Sequence, residues 1–415
     1  MSDSPRIPHA PAEGLFTPSY LWMLVGIVGA FVNFALLLPV VPAWAEHLGA
    51  SPAGVGASTT VMMGACVAAQ LAMPWLLARV GYVRPYVAGL VLMGAPALAL
   101  PWTTELWGVH LVQALRGVGF GLLVVSGSAL SASLAPPRLR GRAVGMYGVA
   151  LAAAQIPALP AGLPLVHGAG WSTVFWLAGG AAVLVAPLAA RIRQRQAPPE
   201  ELAPATAAAE GLPARRPWAT PAVVLFASSL AFGAAGTFLG IGLQDARAVF
   251  WALLVVSAGQ MVGRAWAGAF SDRRGVGPLL TPMTGLSALG VALMAAAMTG
   301  PRALPGWLPA ELSSDLVAVL GAACFGVGFG ALQNDTFVLM VERAGPARLG
   351  SASTVWNVGY DAGTGLGSMV VGALAVATGL AGGFGLLALG ALLTVPLALG
   401  VAATEARLRR APAAS

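Results

Sequence analysis

Two charged residues stand inside long apolar stretches of the chain. Arg116 lies about 11 residues into stretch 106–134, and Asp361 lies about 11 residues into stretch 350–377. At about 1.5 Å per helical residue, each side chain lies roughly 16 Å from the end of its stretch, near the middle of a bilayer. A charge at that depth costs roughly 2.5–3.5 kcal/mol on insertion scales, so both residues are candidates for a functional role.

Arg116 is one helical turn from Gln113, which places the two side chains on one face of a helix. One interpretation is that they bind the substrate or take part in proton coupling. The alternative is structural, with the guanidinium capping backbone carbonyls or pairing with another helix. Both residues are therefore candidates for the binding site.

Asp361 belongs to a polar helical face. Ser353, Asn357 and Asp361 recur at every fourth residue, and Tyr360 is adjacent. A carboxyl group in a low-dielectric setting can carry protons unless a nearby cation keeps it ionised. Asn357, Tyr360 and Asp361 are therefore candidate substrate-binding or proton-coupling residues.

Arg264 is the candidate cation for that carboxyl group, one helical turn from Gln260 in stretch 249–270. An ion pair that breaks and forms again would couple protons to movement, whereas a permanent pair with Asp361 or Asp335 would be structural. Asp335, near the end of stretch 315–340, is expected in a cytoplasmic charge network with Arg264 or Arg343.

Further amides lie inside apolar stretches and can either bind substrate or hold helices together: Asn33, Gln70 and Gln155. The two cysteines, Cys66 and Cys324, fall in different stretches without metal-ligand spacing, and we interpret them as buried structural thiols.

The composition indicates that these stretches are surrounded by a lipid bilayer rather than by water. The 415-residue chain is 58% hydrophobic and 9% charged, against roughly 25% charged residues in soluble domains. The apolar runs are long and continuous, which excludes a membrane β-barrel and predicts an all-helical membrane protein with about twelve spans. The predicted spans are 20–45, 55–78, 85–104, 106–134, 142–166, 171–190, 219–243, 249–270, 278–299, 315–340, 350–377 and 382–403.

Arginine placement predicts the orientation. Of 22 basic residues, all arginine, 18 fall in segments that are cytoplasmic if the N-terminus is inside, and 2 fall in outer segments. The positive-inside rule therefore places both termini in the cytoplasm. It also explains the net charge of +7 without a nucleic-acid partner.

The chain divides into two related halves. We predict a cytoplasmic tail at 1–19 that is not a signal peptide, a bundle at 20–190, a linker at 191–218, a second bundle at 219–403 and a tail at 404–415. The pentapeptide Gly117–Gly121 recurs 209 residues later as Gly326–Gly330, in the fourth span of each half. Without a preceding strand, these glycines indicate close helix packing rather than a dinucleotide loop.

The segment Gly268–Gly275 (GAFSDRRG) resembles the cytoplasmic loop signature of the major facilitator superfamily. The first-half copy, Pro74–Gly81, departs from it, with Pro74 in place of glycine and Ala78 in place of aspartate. The resemblance implies two six-helix bundles that rock around a central site, with the third and sixth helices of each half peripheral. It also implies a cytoplasmic gate or charge network, for which the candidates are Arg79, Arg84, Arg264, Asp272, Arg273 and Asp335.

Segment Trp356–Gly365 resembles the corresponding segment of bacterial drug-efflux members of the family. The fifth-helix stretch 148–162, in contrast, lacks the Gly-Pro and Gly-Gly pairs that antiporters of the family often carry there. We therefore expect a proton-coupled exporter of a drug-like or metabolite molecule. The alternative is uptake of a small organic anion with Arg116 as its counter-charge, and a membrane sensor or enzyme without transport is more remote.

The expected partners are a small-molecule substrate, protons and the lipid bilayer. The proton gradient supplies the energy, and we expect neither a cofactor nor a metal nor enzymatic activity. The expected location is the bacterial inner (plasma) membrane, as a multi-pass protein. The oligomeric state is open, with a monomer as the working assumption.

Overall fold

The structure, a computed structural model, describes residues 15–193, 218–299, 313–344 and 349–410. The predicted N-terminal tail, the linker and the turn before Leu349 lie largely outside these residues. The described part of the chain is built from helices, which confirms the predicted all-helical fold. Eleven stretches are long and apolar enough to cross a membrane.

The first half contains six helices, and their starts follow ordinary capping rules. Thr17 and Ser51 cap the first two helices through their side chains, and each is followed by a proline at the first helical position. The helices are α1 (Pro18–His47), α2 (Pro52–Val80), α3 (Val83–Leu98), α4 (Leu106–Ser133), α5 (Arg140–Ala169) and α6 (Trp171–Ala189).

The second half repeats this order with α7 (Ala219–Gly242), α8 (Ala246–Arg274), α9 (Leu280–Met298) and α10 (Ser314–Ala344). The helix Leu349–Leu392 contains a non-helical residue, Gly379, with φ of 68°. The last membrane-long stretch has 54 residues, or about 81 Å at 1.5 Å per residue, against a bilayer core of about 30 Å. We therefore divide it into α11 (349–378) and α12 (380–410), which gives the predicted twelve spans.

Turn glycines recur at the same places in both halves. Gly81 and Gly275 end α2 and α8 with φ of 72° and 74°, and Gly170 and Gly379 end α5 and α11 with φ of 83° and 68°. A positive φ strains residues with a Cβ, so glycine is the natural choice at these turns. The matching turns are independent support for the internal repeat.

The repeated pentapeptide packs in the same way in each half. A Cβ at Gly117 would lie 2.0 Å from the Met62 carbonyl oxygen of α2, and one at the equivalent Gly326 would lie 2.6 Å from the Val256 carbonyl oxygen of α8. The middle glycine, Gly119 or Gly328, instead lies against the third helix of its half. The prediction of close backbone packing is confirmed.

The packing separates central from peripheral helices. The two halves meet where α2 packs on α11, α5 on α8, and α7 on both α1 and α2. The extensive contacts of α3, α6 and α9 lie within their own half, as the family resemblance implied.

Two predicted helix ends fall short because polar residues continue the helix. α8 extends to Arg274 and α10 to Ala344, beyond the predicted ends at 270 and 340. A helix satisfies its own backbone hydrogen bonds, so it continues past the apolar region into the polar one. In contrast, α3 ends at Leu98 and is followed by a 3₁₀ turn at Leu100–Trp102, short of the predicted end at 104.

Candidate functional site

The two bundles are in contact along α2 and α11, from the start of α2 to its middle. A Cβ at Gly372 would lie 2.3 Å from the Pro52 carbonyl oxygen, and one at Gly56 would lie 2.3 Å from that of Ser368. Glycine on both sides brings the backbones together at this end, where α1 connects to α2.

Hydrogen bonds between the bundles accompany these contacts. The Thr59 and Thr237 hydroxyls are 2.9 Å apart, and Thr237 is also 2.9 Å from the Ser368 hydroxyl. The Thr60 hydroxyl donates to the Gly365 carbonyl oxygen at 2.8 Å. The hydroxyl chain thus joins helices α2, α7 and α11.

Asp361 lies at the inner end of this contact, between the two bundles. Gln70 Nε2 donates to Asp361 Oδ2 at 2.6 Å, and the Cys66 thiol donates to the same oxygen at 3.4 Å. Asp361 is only 4% exposed, and Gln70 and Cys66 are 3% and 0% exposed. The carboxyl group of one bundle is therefore held by two donors of the other bundle.

Gln70 can support Asp361 in either protonation state. Its Oε1 is buried without a hydrogen-bond partner. An ionised carboxylate accepts from the amide NH₂, whereas a neutral carboxyl group can donate its O–H to the amide oxygen after a flip of the side chain. The pair thus tolerates gain and loss of a proton without losing its bond.

Arg264 and Asp361 form no ion pair in this state, which contradicts a permanent pair but not a pair that breaks and forms again. Arg264 Nη1 donates to Gln333 Oε1 at 3.4 Å, and its guanidinium lies 5.9 Å from the Trp356 ring centre. Asp361 faces α2, with Gln70 in the place of the expected cation. The repeat explains this difference, because Arg264 follows Gln70 by 194 residues, as Gly275 follows Gly81.

Gln155 and Gln260 form a second polar contact between the bundles. Gln155 Nε2 on α5 donates to Gln260 Oε1 on α8 at 3.3 Å. Gln260 lies next to the Tyr360 hydroxyl and one turn from Arg264. Together with Asp361, these residues form a polar surface between the bundles, which we call the inter-bundle site.

Asn357 lies one helical turn before Asp361 on α11. Its Nδ2 donates to the Ser353 carbonyl oxygen of its own helix at 2.8 Å, and the side chain is partly exposed. The predicted polar face of α11 therefore exists. Its carboxyl group, Asp361, is hydrogen-bonded to Gln70, and its amide, Asn357, is accessible.

Arg116, Gln113 and Asn33 come together elsewhere, inside the first bundle. Arg116 donates to Asn33 Oδ1 at 3.0 Å and to Gln113 Oε1. Asn33 and Gln113 in turn donate to the carbonyl oxygens of Ala178 on α6 and Ser58 on α2, at 2.9 and 3.2 Å. Arg116 is 1% exposed, so this geometry favours the structural alternative, in which it joins four helices.

The residues of the predicted charge network lie at the opposite end from the α2–α11 glycine contacts. Asp335 accepts hydrogen bonds from the Gly277 N–H at 3.2 Å and the Ser271 hydroxyl at 3.3 Å, which ties α10 to the α8–α9 connection. Arg343 forms a salt bridge with Glu405 at 2.7 Å. Four further members are exposed at this end: Arg79, Arg84, Asp272 and Arg273.

Sequence reasoning missed the direct partners of Asp361. The spacing of the cysteines predicts only a structural thiol at Cys66, and the sequence does not distinguish Gln70 from the other amides inside apolar stretches. The internal repeat carried a usable signal, because it aligns Gln70 with Arg264 and so places both on corresponding faces of the two bundles.

A surface depression of about 480 Å³ lies away from this site, between α7 and α12, and is lined by Thr220, Arg343 and Thr404 among others. It is shallow and open, and it contains none of the residues that join the bundles. We therefore centre the functional site on the inter-bundle surface.

Comparisons with known proteins agree with this architecture. The family model of the Major Facilitator Superfamily matches residues 23–368. Two curated, uncharacterised MFS-type transporters of Mycobacterium tuberculosis, from strains CDC 1551 / Oshkosh and ATCC 25618 / H37Rv, are each 28% identical over 174 residues. That match spans 40% of this chain and 24% of the length of either relative.

Two solved structures share the fold. A variant of the nucleoside transporter NupG superimposes with a TM-score of 0.69 at 13% identity, covering 92% of this chain and 99% of its own. A bacterial homologue of the human lysosomal transporter Spinster, inward-facing and unoccupied, superimposes with a TM-score of 0.67 at 15% identity, covering 93% and 95%. At these identities the likeness concerns the fold alone.

Proposed function

Because the chain belongs to the Major Facilitator Superfamily, we propose that it is a secondary active transporter that exports a small drug-like or metabolite molecule in exchange for protons. The family assignment and the membrane-long helices make it a multi-pass membrane transporter rather than an enzyme. Export, proton coupling and a plasma-membrane location are the proposed part.

The position of Asp361 is the observation that supports proton coupling. Its carboxyl group is buried between the bundles and is held by Gln70 and Cys66 of the opposite bundle. Among the described residues, no cation forms a salt bridge with it to keep it ionised. When α2 and α11 separate, the same carboxyl group meets water, so its proton affinity changes with the conformation of the protein.

One such carboxyl group is sufficient energetically. A proton that moves inward through about 100 mV releases roughly 2.3 kcal/mol. At about 1.36 kcal/mol per tenfold change, this energy sustains a roughly 50-fold substrate gradient. No second titrating group is needed for effective export.

The proposed orientation assigns the end of the protein where α2 and α11 are in contact to one side of the membrane. If the arginine-rich connections face the cytoplasm, the α2–α11 contact lies on the outer side and the structure is inward-facing. The resemblance of Trp356–Gly365 to drug-efflux members supports export more than the α5 stretch does.

The test is pH-driven transport by the Asp361→Asn variant in inverted membrane vesicles. The substrate for this assay is first identified by a susceptibility screen of an overexpressing strain across antibiotics and dyes. We expect Asp361→Asn to lose transport driven by a pH gradient but to retain substrate exchange at equal pH, because asparagine keeps the hydrogen bonds and cannot titrate. The matched control is Asp315→Asn, at the partly exposed start of α10. Intact pH-driven transport by Asp361→Asn would remove the basis for this proposal.

A second candidate function is uptake of a small organic anion. The observation that favours it is Arg264, whose hydrogen bond goes to a neutral amide. The two directions differ in whole cells, since an exporter lowers the accumulation of labelled substrate and an importer raises it. A proton-conducting uncoupler reverses either effect.

A further inference from the structure

We infer that the inter-bundle site selects aromatic molecules that bear an anionic group, with Arg264 as the counter-charge and the accessible ring edge of Tyr360 as the aromatic contact. The inference rests on the proposed transport function and names its substrate class. It assigns anion recognition to Arg264 rather than to Arg116.

Glycine packing positions Arg264 on the wall between the bundles. A Cβ at Gly263 would lie 2.1 Å from the Val327 carbonyl oxygen, so α8 and α10 are in backbone contact beside Arg264. Gln260, one turn away on the same face, reaches Gln155 of the first bundle at 3.3 Å. Arg264 therefore shares the face of α8 that is turned toward the opposite bundle.

The charge of Arg264 is not balanced within the described residues. Its one hydrogen bond goes to the amide oxygen of Gln333 at 3.4 Å, although a guanidinium has five N–H donors. The nearby carboxylates are engaged elsewhere, Asp361 with Gln70 and Asp335 with the Gly277 N–H. The Arg264 side chain is exposed, so an incoming anion can reach it.

A stack of aromatic rings lies beside this cation. Trp356 and Tyr360 stack at 5.7 Å and 15°, Tyr360 and Phe329 at 5.8 Å and 15°, and Phe329 and Phe325 at 5.3 Å and 11°. Trp356 is only 8% exposed, and the two phenylalanines are buried. Tyr360 is partly exposed, and because its two faces are stacked on Trp356 and Phe329, its ring edge is the accessible part. An accessible ring edge close to a guanidinium complements an aromatic ring with an acidic substituent, because the positive edge of one ring contacts the negative face of another.

Arg116 does not fit this role. It is 1% exposed, and the bonds to Asn33 and Gln113 keep its guanidinium inside the first bundle. An anion could reach it only after the helices around it had moved apart. The open cation beside the aromatic stack is the better recognition element.

The test measures equilibrium binding of three probes to the purified full chain in nanodiscs at constant pH. The probes are 1-naphthoate, its neutral analogue 1-naphthamide, and cyclohexanecarboxylate, which has the charge without the aromatic ring. We expect 1-naphthoate to bind at least about tenfold more tightly than either analogue, since a hydrogen bond to a charged partner contributes more than one between neutral groups. This comparison needs no variant and so does not depend on variant folding.

Variants then locate the site. Arg264→Gln should weaken 1-naphthoate binding by about tenfold or more and leave 1-naphthamide unchanged, while Arg264→Lys should restore part of the loss. Tyr360→Leu should remove the preference over cyclohexanecarboxylate, because it deletes the accessible ring edge. The control is Arg247→Gln, at an exposed position near the start of α8.

Two results would overturn the inference. One is equal binding of 1-naphthoate and 1-naphthamide, and the other is undiminished 1-naphthoate binding by Arg264→Gln. Binding is measured without a pH gradient, so these failures leave proton coupling by Asp361 intact. Conversely, pH-driven transport that survives in Asp361→Asn would refute proton coupling without affecting Arg264.

Discussion

Replacing Gln70 by leucine should shift the protein away from the state with α2 and α11 in contact. Leucine has a similar size but cannot donate to the buried carboxyl group of Asp361, which now receives a 2.6 Å hydrogen bond from Gln70. In the opposite state, with the helices apart, water can replace the missing donor. The substitution therefore penalises one conformation more than the other.

The size of the shift follows from the character of this bond. Hydrogen bonds to charged groups contribute about 1.5–3 kcal/mol, and a buried group left without a partner costs a similar amount. At about 1.4 kcal/mol per tenfold change, the equilibrium between the two states should move by roughly 10- to 150-fold. The weaker thiol contact of Cys66 at 3.4 Å does not compensate for this loss.

Cys66 itself can report the shift. Its thiol is 0% exposed in this state, and Cys324 is the chain's other cysteine. In a Cys324→Ser background, a membrane-impermeant maleimide applied at the α1–α2 side should label Cys66 at least about tenfold faster in Gln70→Leu than in the parent, by the free-energy argument above. The control is Ser229→Ala, since among the described residues Ser229 bonds only to the Leu225 carbonyl oxygen of its own helix.

An unchanged or slower labelling rate in the folded Gln70→Leu variant would refute this reasoning. It would mean that the glycine contacts alone hold the two bundles together at this end. Equal acceleration by Ser229→Ala would point to general loosening of the protein instead.

Three further predictions concern stability. Gly330→Val should prevent stable folding, because its Cβ would lie 2.0 Å from a carbonyl oxygen of α8. Gly145→Ala should be neutral, because the space around Gly145 is open. Thermal unfolding followed by size-exclusion chromatography measures both effects. Arg116→Met should lower the Tm by several degrees through lost bonds between helices; an unchanged Tm with lost substrate binding would favour a binding role instead. Glu405→Gln should lower the unfolding free energy by less than about 1 kcal/mol, since its pair with Arg343 is partly exposed, and a larger loss in chemical denaturation would contradict this.

The sequence was sufficient for the framework of the fold. Long apolar runs predicted the helices, and the repeated Gly117–Gly121 pentapeptide predicted both the two halves and their close packing. These features are local, because hydrophobic length and the absence of a Cβ act on a helix and its immediate neighbours.

The partners of the buried charges were beyond sequence reasoning. Gln70 and Asp361 are 291 positions apart and meet only because two bundles dock in one register. Opposite charge favoured Arg264 as the partner of Asp361, but the repeat places Arg264 and Gln70 at corresponding positions, and Gln70 is the one that faces α11. Depth along a helix also could not show that Arg116 points into its own bundle.

The central claim is that α2 and α11 part and meet as Asp361 gains and loses a proton. Its most direct measurement is the distance between spin labels at Ser51→Cys and Ala377→Cys, both exposed at this end of the two helices. The labels are placed in a Cys66→Ser, Cys324→Ser background, and the distance is measured across a pH series. We predict two distance populations whose ratio depends on pH, and a ratio that no longer depends on pH when Asp361→Asn is added. A single distance at every pH, or the same pH response in Asp361→Asn, would contradict the claim.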